Sequence, residues 1–333
     1  MSETRSIEAF LARAGWAGAA VAPLAGDASF RRYFRVARDD TRAMLMDAPP
    51  PKEDVRPFLA VGGWLQARGF TAPRVLAADD REGFLLLEDL GDAVFARLLD
   101  RGADALPLYA AAVDLLVLLH RCAPPGFLPD YDDARILQEG RIVLDWYLPA
   151  LTGKPSPAEL YEEYAALWRE VLPLTREGGP AQVFVHRDYF ADNLMWLPER
   201  RGLARVGLLD FQDAVIGPAA YDLMSLLQDS RRALDETLVE GMLGLYMDRA
   251  AIGNRAAFRA AFTVLGAQRN ARIVGLWPRL WKRDGKPRYL GYMAQTWRLL
   301  EACLLHPELA RLKRWFDRHF PPELRGRPLP GQP

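Results

Sequence analysis

Near residue 92 the hydrophobic residues change period, and that change restricts the folds open to this chain more than any other feature. Before it, short runs alternate. Phe30, Tyr33, Phe34 and Val36 lead into the turn "RDD", "AMLM" resumes as the second arm of a hairpin, and "PRVLAADDREGFLLLEDLGD" reads as two further strands. After it, "ALPLYAAAVDLLVLLH" and "SPAELYEEYAALWREVL" repeat apolar residues every three or four positions, the period of an amphipathic helix. An α+β chain is expected, with a small strand-rich part over residues 1–91 and a larger, mainly helical part over 92–333. Within the first part, Ser6 is an N-cap for a helix over 6–14, and a Gly26-containing turn precedes the hairpin. Prolines 49–51 end that sheet segment, and Gly69 closes a helix over 54–69 that Gly62 and Gly63 weaken. Past Pro218 the pattern is helical almost to the end, and the tail "RGRPLPGQP" reads as frayed.

Several classes of function are disfavoured early. Lys+Arg and Asp+Glu both number 43, so no global field draws the chain to nucleic acid or an anionic membrane. Cys122 and Cys303 can build neither a disulfide framework nor a CxxC metal site. The N-terminal residues carry no apolar secretory core, and the apolar run near "AAVDLLVLLH" is too short and interrupted to span a bilayer. A cytoplasmic protein is expected, with no obligate protein partner evident. There is no GxxxxGK[ST] and no GxSxG, and neither His306 nor His319 has a ligand set at zinc spacing.

One stretch interrupts the helical part: "VFVHRDYFADNLMW" sets His186, Arg187, Asp188 and Asn193 between two runs that look like buried strand. Alone, it reads equally well as a polar hairpin loop. A further strand, "RVGLLD", then ends in Asp210. Phosphoryl transfer asks a protein for a carboxylate to accept the hydroxyl proton and for oxygen ligands to magnesium. Asp188, Asn193 five residues on, and Asp210 at a strand end supply that set in the order of the kinase pattern H-R-D-L-x-x-x-N. After Asp210 the chain enters a helix almost at once and has no APE, which leaves no activation segment and implies a small-molecule acceptor.

With "LLDFQDAVIGPAAYDLMSLL", these motifs resemble the aminoglycoside phosphotransferase and choline-kinase family, and the likeness covers nearly the whole chain. "GDASFRRYFRV", "FLLLEDLGD" and "QRNARIVGLWPRLWKRDGKPRYL" resemble one branch of it, which contains anomeric N-acetylmuramate/N-acetylglucosamine kinases of bacterial cell-wall recycling. The resemblance implies a protein-kinase-like two-lobed fold that uses ATP and Mg2+. Asp188 would be the base, Asn193 and Asp210 the metal ligands, and Glu88 and Leu90 the donors of backbone groups to adenine. His186 would brace the loop, and Asp222 would hold it from a buried helix, or else be a helix-surface charge.

The sequence departs from the family pattern where the nucleotide phosphates are met. The third strand carries Met46 in place of a lysine, Phe58 stands near the position of its helix glutamate partner, and "GDASF" has a single glycine. Ser29 and backbone amides must then do more. Arg31 or Arg32 is expected to replace the lysine, since alternation along a strand points only one of them inward. Two rival readings stay open: another small-molecule kinase of the fold, acting on an aminoglycoside, choline or homoserine, and a degenerate kinase fold used only for binding nucleotide or sugar. For the acceptor, Gln268, Arg269, Trp277 and Arg279 would line a pocket, a tryptophan against the sugar ring and an arginine on an acidic substituent, with Asp213 on a sugar hydroxyl. The same segment reads equally as a solvated basic helix face with a core tryptophan.

Overall fold

The computed structural model describes residues 6–24 and 30–332. The first elements are α1 (Ile7–Arg13), β1 (Ala20–Pro23), β2 (Arg32–Arg38), β3 (Thr41–Asp47), α2 (Arg56–Gln66), β4 (Val75–Asp79), β5 (Phe84–Glu88) and α3 (Phe95–Asp100). The chain continues through α4 (Ala105–Arg121), α5 (Asp133–Gly140), a π-helical turn over Val143–Tyr147, α6 (Leu148–Thr152) and α7 (Ala158–Val171). Four short strands follow, β6 (Val183–Val185), β7 (Leu194–Trp196), β8 (Val206–Leu208) and β9 (Val215–Gly217). The last helices are α8 (Ala220–Leu227), α9 (Glu236–Arg249), α10 (Arg255–Lys282), α11 (Met293–Leu304) and α12 (Ala310–His319). The architecture is α+β, as the change of period implies.

Two compact units emerge. The first runs to Ala111 and takes back Asp192–Asp213; the second holds Ala112–Ala191 and the chain from Ala214 on. The β7–β8 hairpin joins the first unit because Thr71 bridges Gly207 and Val94 bridges Met195.

In the first unit, five antiparallel strands lie in the order β1-β2-β3-β5-β4. Alternate residues face opposite sides. One side, with Val36, Ala43, Leu45, Phe84 and Leu86, packs on Phe10 and Leu11 of α1. Ser6 Oγ accepts the Ala9 amide at 3.3 Å, so the expected cap is there. A helix of seven residues is marginal alone, and burying these two side chains, worth roughly 1.5–3 kcal/mol each, holds it. The other side carries Tyr33, Met44, Met46, Leu85 and Leu87. The Gly26 turn lies outside the described residues.

The second unit is built round α10, whose residues Val264, Ala267, Ala271, Val274 and Trp277 join one cluster with α7, α11 and α12. The C-terminal tail is part of it: Leu329 is buried in that cluster, and Arg325 pairs with Asp317 at 2.7 Å and Glu301 at 2.9 Å. Frayed ends lack such anchors, so the tail is ordered against expectation. Among the described residues no helix is long and apolar enough to cross a membrane.

Candidate active site

The loop after β6 carries Asp188, and β6 is held by pairing with β9. Asp222, in the first turn of α8, is wholly buried; its carboxylate accepts the amides of His186 at 2.6 Å and Arg187 at 2.9 Å. Burial pushes this carboxyl up to about 7, against the pull of those two bonds. Asp222 is thus a buried anchor and no surface charge. Arg187 has a left-handed backbone, φ 73°, and its Nη2 reaches Glu139 at 2.6 Å. A non-glycine residue held there stores strain that the fold must outweigh, and such strain clusters at functional loops. Asp188 follows it, partly exposed.

Asn193 and Asp210 belong to the first unit, at the same end of the β7–β8 hairpin. Leu194 pairs with Leu208, and the Leu209 amide donates to the Asn193 carbonyl at 2.9 Å. Asp210 also has positive φ, 59°. Gln212 Nε2 donates to Asp210 at 2.9 Å and to Asp213 at 3.2 Å, so Asp213 stands beside Asp210 in the first unit, whereas the helical residues expected to line the pocket belong to the second. Among the described residues no three His, Cys, Asp or Glu cluster as a metal cage. An amide oxygen and a carboxylate on one hairpin end suit a hard divalent cation that completes its shell with water and phosphate oxygens.

The arginine pair resolves clearly in space. Arg32 is 61% exposed and pairs with buried Asp47 on the α1 side of the sheet. Arg31 is 12% exposed, on the side of Tyr33 and Met46, with Glu53 at 3.0 Å and Asp210 at 3.5 Å. Burial opposes its charge, yet the fields of Tyr33, Glu53 and Asp210 raise its pKa above the ordinary guanidinium value. Tyr33 hydrogen-bonds Arg31, and burial with the field of Asp210 pushes its phenol up to about 12. Met46 is 1% exposed. Phe58 of α2 packs on Phe211 at 4.7 Å, where the usual ion pair would put a glutamate. Glu53, two residues ahead of that helix's N-cap, is the partner that the sequence reading missed; no local pattern pairs it with Arg31.

Ser29 lies outside the described residues. Glu88 spends its amide on the Arg74 carbonyl at 2.8 Å and its carboxylate on Arg200 at 2.8 Å and Arg74 at 3.1 Å. Past it, Asp89 is clamped by Arg35 at 2.7 Å, and the Leu90 side chain lies over Gly207, where a Cβ would approach it to 3.2 Å.

The expected pocket residues of α10 divide by helical face. Gln268 is buried and donates to the Ile136 carbonyl at 2.9 Å; Arg269 is buried against the Phe190 ring at 5.9 Å. Trp277, 2% exposed, donates to Thr296 at 2.9 Å and stacks on Tyr289 at 5.6 Å, so it is a core residue with no face for a sugar. Arg279 lines a cavity of about 920 Å³ together with Glu139, Arg141, Asp145, Trp146 and Arg272. Arg272 and Arg279 are seven residues apart, hence on one face of α10. Trp146 supplies the aromatic wall expected of Trp277; it sits in the π-helical turn, whose side-chain directions a 3.6-residue period does not give.

The family model described as phosphotransferase enzyme family matches residues 20–260 of this chain. An N-acetylmuramate/N-acetylglucosamine kinase of Caulobacter vibrioides is 39% identical, over 95% of this chain and 96% of its own. A kinase of the same name from Pseudomonas aeruginosa is also 39% identical, over 92% of this chain and 90% of its own. Among solved structures, the aminoglycoside phosphotransferase APH(3'')-Id of Streptomyces rimosus, in complex with ADP and streptomycin, superposes with a TM-score of 0.52. It covers 77% of this chain and 96% of its own at 19% identity, a likeness of fold.

Proposed function

The chain belongs to the phosphotransferase enzyme family, and from that premise we propose that it transfers the γ-phosphoryl group of ATP to the anomeric hydroxyl of N-acetylmuramate or N-acetylglucosamine. The observation that carries the reading is full-length likeness to kinases named for those two sugars. The site agrees with it. Asp188, on a loop that Asp222 fixes, accepts the acceptor's proton; an anomeric hydroxyl is the most acidic on the ring and suits a lone carboxylate base. Arg31, oriented by Glu53, meets the nucleotide phosphates in place of the third-strand lysine. Asn193 and Asp210 would hold Mg2+, which when bound offsets the charge of those phosphates. Leu90 and the clamped Asp89 before it border the adenine, and Glu88, its amide already bonded, contributes at most its carbonyl.

Coupled ADP release tests this with both sugars, a kanamycin-type aminoglycoside and choline, the product's phosphate being located by NMR. Both sugars should react at C1, the others poorly, and methyl glycosides of the sugars not at all. Methyl glycosides phosphorylated as fast as free sugars would move the transfer to another hydroxyl. Nucleotide binding without turnover on any acceptor would favour a non-catalytic role.

A further inference from the structure

The cavity in the second unit has four arginines on its wall, Arg135, Arg141, Arg272 and Arg279. Three of them meet carboxylates of the wall itself. Arg135 and Arg272 approach Glu139 at 3.4 Å and 3.5 Å, and Arg141 approaches Asp145 at 3.4 Å. Glu139 is further bound by Arg187 at 2.6 Å and by the Tyr131 hydroxyl at 3.1 Å, so it is fully engaged. Arg279 differs: among the described residues its guanidinium makes no hydrogen bond and no ion pair; burial and the cations Arg283 and Arg272 oppose its charge, and the Asp284 carboxylate, already paired with Arg283 at 2.7 Å, offsets them only in part. A half-buried guanidinium beside like charges gains more from an incoming anion than one already paired.

From this arrangement we infer that Arg279 is the acceptor-specificity residue, taking the carboxylate of an acidic hexosamine and leaving a neutral hexosamine without that contact. The inference rests on the proposed reaction and adds to it the group that tells the two sugars apart. The planar guanidinium fork fits a carboxylate in a bidentate fashion. Trp146, partly exposed on the same wall, offers an apolar face to the pyranose ring common to both sugars.

The test compares wild type and Arg279→Gln on three acceptors with free C1: N-acetylmuramate, the methyl ester of its lactyl carboxylate, and N-acetylglucosamine. For wild type, esterification should raise KM by about ten- to a hundredfold, the worth of a charge-assisted contact. Arg279→Gln should raise KM for N-acetylmuramate similarly and show no further penalty for the ester, while N-acetylglucosamine stays within about twofold, since a coupled pair is lost only once. Equal losses on all three acceptors, or none, would overturn the inference. If the variant does not fold, the wild-type ester arm decides: an ester as good as the acid sinks the idea. Wild type active on both sugars with an unchanged KM ratio in Arg279→Gln removes this inference alone. Wild type inactive on both removes the proposed reaction, and the inference with it.

Discussion

Arg31 immediately precedes β2 and Arg32 is its first residue, and the extended chain sends the two side chains to opposite faces of the sheet. Arg31 shares its side with Tyr33, Met46 and the Glu53–Asp210 pair of carboxylates, whereas Arg32 reaches Asp47 on the α1 side. Arg31→Ala is therefore expected to raise KM for ATP about tenfold or more, the loss of one charge-assisted contact. Arg32→Ala should leave ATP kinetics unchanged and lower the melting temperature, because Asp47 stays buried with one partner fewer. Steady-state kinetics of both variants check this, and unchanged ATP kinetics in Arg31→Ala would rule it out. Asp188→Asn should lose roughly 10²–10⁴-fold in kcat while retaining nucleotide affinity; a variant within threefold of wild type is incompatible with a catalytic base. Asp222→Asn replaces a doubly accepting carboxylate with an amide whose NH2 meets a backbone N–H. Leaving one buried amide unbonded costs about 1–3 kcal/mol, so both kcat and thermal stability should fall, with ATP affinity nearly kept.

At the scale of elements, two glycines set how closely helices approach. A Cβ on Gly275 of α10 would come within 2.3 Å of the Ile142 carbonyl oxygen, next to the π-helical turn that carries Asp145 and Trp146. The close approach brings Arg272 and Arg279 to the wall that Trp146 shares. A backbone cannot yield as a flexible side chain does, so Gly275→Ala must push α10 off that turn. The expected result is a melting temperature lower by several degrees, the size of a 1–3 kcal/mol overpacking penalty, with a raised KM for the sugar and a nearly unchanged KM for ATP. A raised KM for ATP alone would contradict that account. In the first unit, Gly62 of α2 does the same for Phe211, whose ring would lie 3.3 Å from an added Cβ. The residue that weakens α2 as a helix lets it pack against the chain just after Asp210.

For the molecule as a whole, His120 contributes to acid stability in the second unit. His120 Nδ1 lies 2.7 Å from the Tyr246 hydroxyl, joining α4 to α9, and Nε2 is out of reach of water. Burial lowers this imidazole from 6.5 to about 3. The folded protein then stays unprotonated between about pH 6.5 and 3, where the unfolded chain takes up a proton. The contribution is complete above pH 6.5 and is lost as pH falls through that window, by as much as about 1.4 kcal/mol per pH unit. His120→Gln should flatten the fall of stability between pH 6.5 and 4.5, measured by urea unfolding at several pH values. An identical slope in both proteins would show that His120 does not carry it.

The sequence by itself determined whatever depends on near neighbours. Alternation and helical spacing placed four of the five strands of the sheet, all but β1, and the main helices, because each period reports which residues share a face. The order Asp188, Asn193 and Asp210 marked the loop and the strand end, because the spacing lies within one short segment. What a face packs against is not local. Spacing put Trp277 and Arg279 in one helical stretch, but two residues on a helix turn through roughly 200°, and the packing of α11 buries the first while the cavity wall exposes the second. Likewise strand alternation separated Arg31 from Arg32, while only the positions of Glu53 and Asp210 decided which of the two meets those carboxylates. The anchoring of the Asp188 loop by Asp222, the left-handed backbones of Arg187 and Asp210, and the role of Gly275 all come from contacts between segments distant in sequence. Such contacts are fixed by how the elements pack together, and no local period encodes them.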